Sequence, residues 1–198
     1  EAGVIRLGAL AVDGSKVKAN ASKHKAMSYG RMREEERRLR EQIAALTTQA
    51  EAVDAAEDAV HGPDVRGDEL PAELQRREAR LAKIAAAKAR LEARQAEEDR
   101  QKGRTPDDGR KSRGRKPFAR DFGTPPDDAQ DNFTDPESRI MKTSSGFDQC
   151  YNGQLAVDEA SQMIVATGLT NCAADNAELV PLIDQTHATL GENPTEVL

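Results

Sequence analysis

The chain of 198 residues reads as a small α/β domain interrupted by a long antiparallel helical hairpin. Three observations point there. A strand-like apolar run opens the chain at Val4–Val12. A heptad-spaced apolar seam then occupies residues 28–101, and residues 133–198 return to short strand patterns and one helix. Composition agrees, with 32% charged residues, 3% aromatic residues and a net charge of -6. Much of the 37% hydrophobic fraction is alanine, which buries little surface, so a small core with solvated helices fits better than one large core.

Several classes are excluded at this level. No run approaches the roughly 20 apolar residues of a membrane span, and no signal-peptide pattern is present. Cys150 and Cys172 are too far apart for a CxxC motif and read as free thiols in a reducing, cytoplasmic compartment. His24, His61 and His187 lack metal-ligand spacing. The chain begins at Glu1 and ends on the strand-like TEVL, which reads as a piece of a longer protein.

The first zone, residues 1–27, holds the opening strand and the stretch LAVDGSKVK, in which Asp13-Gly14 follows the apolar run. Two readings stand side by side. Asp-Gly is a common hairpin connector. A carboxylate at the end of a strand also suits a divalent metal such as Mg²⁺, which takes hard oxygen ligands and few carboxylates.

In residues 28–101, Met32, Leu39, Ile43, Leu46, Ala50, Val53 and Val60 form one seam. Leu70, Leu74, Leu81, Ile84 and Leu91 form the other, interrupted by Arg77 and Lys88. Gly62-Pro63 stops one helix, and Asp68 with Pro71 opens the next. Each arm of about thirty residues would be about 45–50 Å long. Such a hairpin serves either as a structural arm or as a coiled coil that pairs two copies of the chain.

Residues 102–132 form a linker with a basic start and an acidic finish, punctuated by Gly and Pro, and so are expected to be mobile. Its Arg104, Arg110, Lys111, Arg113, Arg115 and Lys116 are candidates for nucleic-acid phosphate contact. In residues 133–198, strands are expected around Tyr151–Val157 and Met163–Leu169, joined by the turn Asp158–Ser161. A helix follows, capped by Asp175 or Asn176, with Leu179, Leu182, Ile183 and Leu190 on its apolar face and Gly191 closing it. TEVL starts a last strand. Asp158 and Asp135 read as turn or cap residues.

The stretches LAVDGSKVKANASKHKAMSYGRM, DPESRIMKTSSGFDQCYNGQLAVD and ATGLTNCAADNAELVPLI together resemble the DDE transposases of bacterial insertion sequences. The similarity is to the branch whose catalytic domain carries a helical insertion, and it covers roughly residues 7–32 and 133–198. The resemblance implies a partial ribonuclease H-like domain, of three antiparallel strands, a helix and the start of a fourth strand. It implies that Asp13 is the first catalytic carboxylate and a ligand of Mg²⁺ or Mn²⁺. The second carboxylate, just past the fourth strand, and a later glutamate would lie outside this chain, leaving it inactive alone. DNA, as transposon ends and target, is the implied partner, with action at the nucleoid, while a homodimer through the hairpin is the coiled-coil alternative read from its apolar seam. Lys16 and Lys18 are then candidates for phosphate contact. Asn152 and Gln154, on one face of their strand, would support the active-site end of the sheet. Two other classes remain open on the residues alone: a non-enzymatic interaction protein built on the hairpin, and a DNA-binding module working through the basic linker.

Overall fold

The computed structural model describes residues 7–61, 72–108 and 118–198, and of residues 54–61 the backbone only. The fold is mixed α/β, with two mostly antiparallel sheets. The chain divides into two compact units: residues up to Lys25 together with Thr134–Leu198, and Ala26–Phe133.

The first unit is built on a five-stranded sheet. Strand β1 (Ala9–Lys18) pairs antiparallel with β5 (Gly146–Asp158), from Leu10 opposite Asp158 to Lys18 opposite Cys150. The other edge of β5 takes β4 (Arg139–Thr143) along its first half and β6 (Ile164–Thr170) along its second, both antiparallel. Helix α3 (Leu179–Leu190) follows, and then β7 (Glu196–Val197) pairs parallel with β1 on its free edge. The order β6–β5–β1–β7 therefore has three antiparallel strands, a helix, and a fourth strand beside the first.

Period-2 alternation explains which residues are covered. Leu10 and Ala156 point to one face, where they pack with Leu7, Val165, Ala166 and the Leu182 side chain of α3. The opposite face leaves Val17 (50% exposed), Leu155 and Leu169 (67% exposed) in solvent. Helix α3 ends where Gly191 adopts φ 76 and its N–H donates to His187 O at 2.7 Å, as the Gly after the apolar run predicts. Its start differs. Leu179 is the first helical residue, and Glu178 at the N-cap makes no side-chain cap bond, because Asp175 has other partners.

The first strand also departs from expectation. The sequence places its end before Asp13, but β1 begins at Ala9 and runs through Asp13-Gly14 to Lys18. An Asp-Gly turn requires a partner strand immediately downstream. Here the partner is β5, so Asp13 stays extended opposite Leu155. The part of the expected strand before Leu7 lies outside the described residues.

The second unit holds α1 (Tyr29–His61) and α2 (Ala72–Gln101). Tyr29, Met32 and Leu39 interlock with Ile84, Ala87 and Leu91. The helices run antiparallel, since bonds link Tyr29 to Glu92, Lys88 to Glu36 and Arg77 to Gln42 in opposing order. Arg77 and Lys88, the polar interruptions of the seam, are thus paired across the hairpin. Burial and the Glu92 carboxylate push the Tyr29 phenol up to about 12. The Gly62-Pro63 stop, the Asp68–Pro71 start and Leu70 lie outside the described residues.

A two-stranded ribbon, β2 (Ala26–Ser28) with β3 (Gln130–Asn132), closes this unit where the chain enters and leaves it. Asp131, with its side chain 0% exposed, accepts from Arg90 at 2.6 Å and Arg94 at 2.7 Å, tying the ribbon to α2. The described part of the expected mobile linker is also tied down. Asp99 accepts from the Gly123 N–H at 2.9 Å and from Arg104 at 3.1 Å, and Arg104 also donates to Arg120 O at 3.0 Å. Burial raises the Asp99 pKa, but the Gly123 N–H, Arg104 and Gln95 outweigh it and hold the carboxyl below the usual range.

Replacing Ile84 by alanine removes a nearly fully buried side chain from the hairpin seam. Urea unfolding followed by the helical circular-dichroism signal should show a loss of about 2–4 kcal/mol.

Candidate functional site

Asp13 lies on β1 opposite Leu155 of β5, past the stretch Ala9–Leu10 that pairs with β7. Its side chain is on the face opposite α3, exposed, and its Oδ1 accepts from the N–H of Gly14 at 2.8 Å. Among the described residues no group of three or more His, Cys, Asp or Glu side chains converges. Asp13 therefore offers one hard oxygen ligand, and the described side chains do not complete a Mg²⁺ or Mn²⁺ site.

The covered face carries a polar cluster one residue further along. Gly14, Lys16, Asn152 and Gln154 come together there, because Gly14 pairs with Gln154 and Lys16 with Asn152. Asn152 Nδ2 and Gln154 Nε2 both donate to Asp175 Oδ1, at 2.5 and 2.6 Å. Asn152 also donates to Cys172 O at 3.2 Å. Lys16 Nζ donates to Ala173 O at 3.0 Å and lies 3.6 Å from Asp175. The segment before α3 is thereby pinned to the middle of the sheet. The Asn152 and Gln154 amides, followed by Lys16, hold the Asp175 carboxyl below the usual carboxylate range. Gly14 is required for this approach, since a Cβ there would sit 2.5 Å from both Asp175 Oδ1 and Gln154 Nε2.

Lys18 reaches across to Asp148 at 2.9 Å. Beside it opens a cleft of about 520 Å³ lined by Gly14, Ser15, Lys16, Lys18, Lys142 and the Thr143–Ser145 turn. Asp158 and Asp135 hold turns. Asp158 accepts from the Ser161 N–H and hydroxyl, and Asp135 from the N–H groups of Glu137 and Ser138 and the Tyr151 hydroxyl. Burial and Asp135 push the Tyr151 phenol up to about 12.

Of the sequence candidates, Lys16 and Lys18 follow Asp13 on the same strand, but alternation turns them to the covered face. Arg104 does not belong with the DNA-facing set. It is 8% exposed, paired with Asp99 and stacked on Phe118 at 4.1 Å, because the buried carboxylate needs a counter-charge. Arg110, Lys111, Arg113, Arg115 and Lys116 lie outside the described residues. Sequence reasoning missed Asp175 as the partner of Asn152 and Gln154. The available signal was two amides alternating on a core strand, which must find partners when buried. Comparison with family models, curated proteins and solved structures yields no match to this chain.

Two outcomes are expected at the Asp175 cluster. A carboxyl NMR titration should place Asp175 below the ordinary value of about 3.9, and Asn152→Ala should return it upward. Since the folded carboxyl is depressed, its stabilising contribution is complete above that ordinary value and is lost as pH falls through the folded one. Gly14→Ala should displace Asp175, with a loss of about 1–3 kcal/mol in thermal or urea unfolding.

Proposed function

We propose that this chain is part of the catalytic domain of a DDE-type DNA transposase, with a ribonuclease H-like sheet split by a helical insertion. The observation that carries the reading is Asp13: an exposed carboxylate on β1, between antiparallel β5 and parallel β7. Three antiparallel strands, α3 and then β7 follow the order that a ribonuclease H-like fold uses. The hairpin unit enters between β1 and β4, so the sheet is split by a helical insertion, as in that branch.

The position of Leu198 adds support. Its N–H donates to Leu10 O at 2.9 Å, and its carbonyl accepts from Val12 N–H at 3.2 Å. A continuation of this strand would run beside Asp13, where a second carboxylate is expected. In this reading the parent enzyme cuts DNA by hydrolysis and joins it by attack of a 3′-hydroxyl on a phosphodiester, within the bacterial nucleoid. The metal, Mg²⁺ or Mn²⁺, supplies Lewis-acid chemistry when bound. Asp13 contributes one ligand, and the other acidic ligands come from the remainder of the parent. Among the described residues no helix is long and apolar enough to cross a membrane.

The test has two arms. The coding DNA beyond the Leu198 codon should show an aspartate within a few codons and a glutamate further downstream; an open frame lacking both would overturn the reading. The purified 198-residue chain with Mg²⁺ and DNA should give no strand transfer. Strand transfer that disappears in Asp13→Ala would mean that the ligand set is already complete.

A further inference from the structure

The cleft beside β1 combines donors of one kind. Lys16 and Lys18 come from β1, and Lys142 comes from the end of β4. The turn that joins β4 to β5 adds Thr143, Ser144 and Ser145, and Gly146 with φ 123 lets the hairpin close tightly behind them. Thr143 Oγ1 and Ser145 Oγ are ordered on Asp148, which also receives Lys18. The ordering bonds keep this turn in one conformation at the mouth of the cleft.

The charge balance is uneven. Asp148 answers Lys18, and Asp175 lies 3.6 Å from Lys16, but Lys142 is exposed and makes no ion pair with any described residue. In a chain of net charge -6, three lysines line this cleft against the carboxylates of Asp148 and Asp175, which leaves a surplus of one positive charge there. Ammonium groups donate only, and hydroxyls donate readily, so the matching ligand is an anion rich in acceptor oxygens. A phosphate group meets that description.

We propose that this cleft binds phosphate groups of a nucleic-acid backbone, with Lys142 and the Ser144 hydroxyl as contacts alongside Lys16 and Lys18. The cleft starts at Gly14, the residue after Asp13, on the face of β1 to which Lys16 and Lys18 turn. This rests on the reading of the chain as acting on DNA, and it adds the side chains that track the backbone on the β4–β5 side.

The experiment is fluorescence anisotropy of a labelled single-stranded oligonucleotide with the full 198-residue chain, over a salt series. Lys142→Glu should weaken binding about tenfold at low salt and reduce the salt slope by about one. Lys83→Glu, an equal charge change on the exposed side of α2, should leave it unchanged. Ser144→Ala should weaken it about twofold without altering the circular-dichroism spectrum. No oligonucleotide binding, binding indifferent to Lys142→Glu, or equal loss in both charge reversals would overturn the proposal. So would binding of inorganic phosphate with no binding of the oligonucleotide, which would assign the cleft to a free anion. Intact cleft binding with no acidic codons beyond Leu198 would remove the transposase reading and leave the cleft standing.

Discussion

The pairing of β1 with β5 is the constraint on which everything else depends. It joins residues 10–18 to residues 150–158, so the chain must return across the whole hairpin unit before the central sheet can form. Loop-closure entropy grows only logarithmically with length, which makes such an insertion tolerable. The β2–β3 ribbon lowers the effective cost further, because Ala26 and Asn132 are already paired where the chain enters and leaves. The insertion behaves as a closed loop with a narrow neck. Once β1 lies in register on β5, Gly14 faces Gln154, Lys16 faces Asn152, and Asp13 is turned to the other face.

Three carboxylates then fix segments that have no apolar reason to stay where they are. Asp175 anchors the approach to α3 on the sheet amides, Asp131 fastens the ribbon to α2 through two arginines, and Asp99 gathers Arg104 and the Gly123 backbone. Each is held by directional bonds in a protein whose core is small. Such bonds contribute about 1 kcal/mol each on net, but losing one partner leaves a buried group unsatisfied and costs more. Their main effect is specificity of position. They determine which loop lies over which strand.

Legibility followed the range of the interaction. The hairpin helices, the β5–β6 turn, α3 with its Gly191 stop and the last strand could be read from periodicity and local turn chemistry. Asp13 could be singled out as a carboxylate after an apolar run, but its placement in mid-strand could not, because the choice between turn and extended chain lay with β5. Arg104 was grouped with its basic neighbours, since charge runs do not reveal a buried aspartate five positions earlier. No local pattern marks Lys142, whose neighbours in the cleft are on β1, far away in sequence.

By itself, the sequence determined the class of α1, α2, α3, β5 and β6, because amphipathic period, capping residues and glycine conformations act within a few residues, whereas the short strands β2, β3 and β4 carried no such local signal. It also determined that Asn152 and Gln154 share a face, as alternation requires. Only the tertiary structure decided the face Asp13 occupies, the partner of each buried amide and the grouping of Lys16, Lys18 and Lys142. Those outcomes depend on strand register and on satisfying polar groups once they are taken out of water. The register of β1 on β5 is set by residues more than a hundred positions apart, and the partner of the amides comes from the loop before α3.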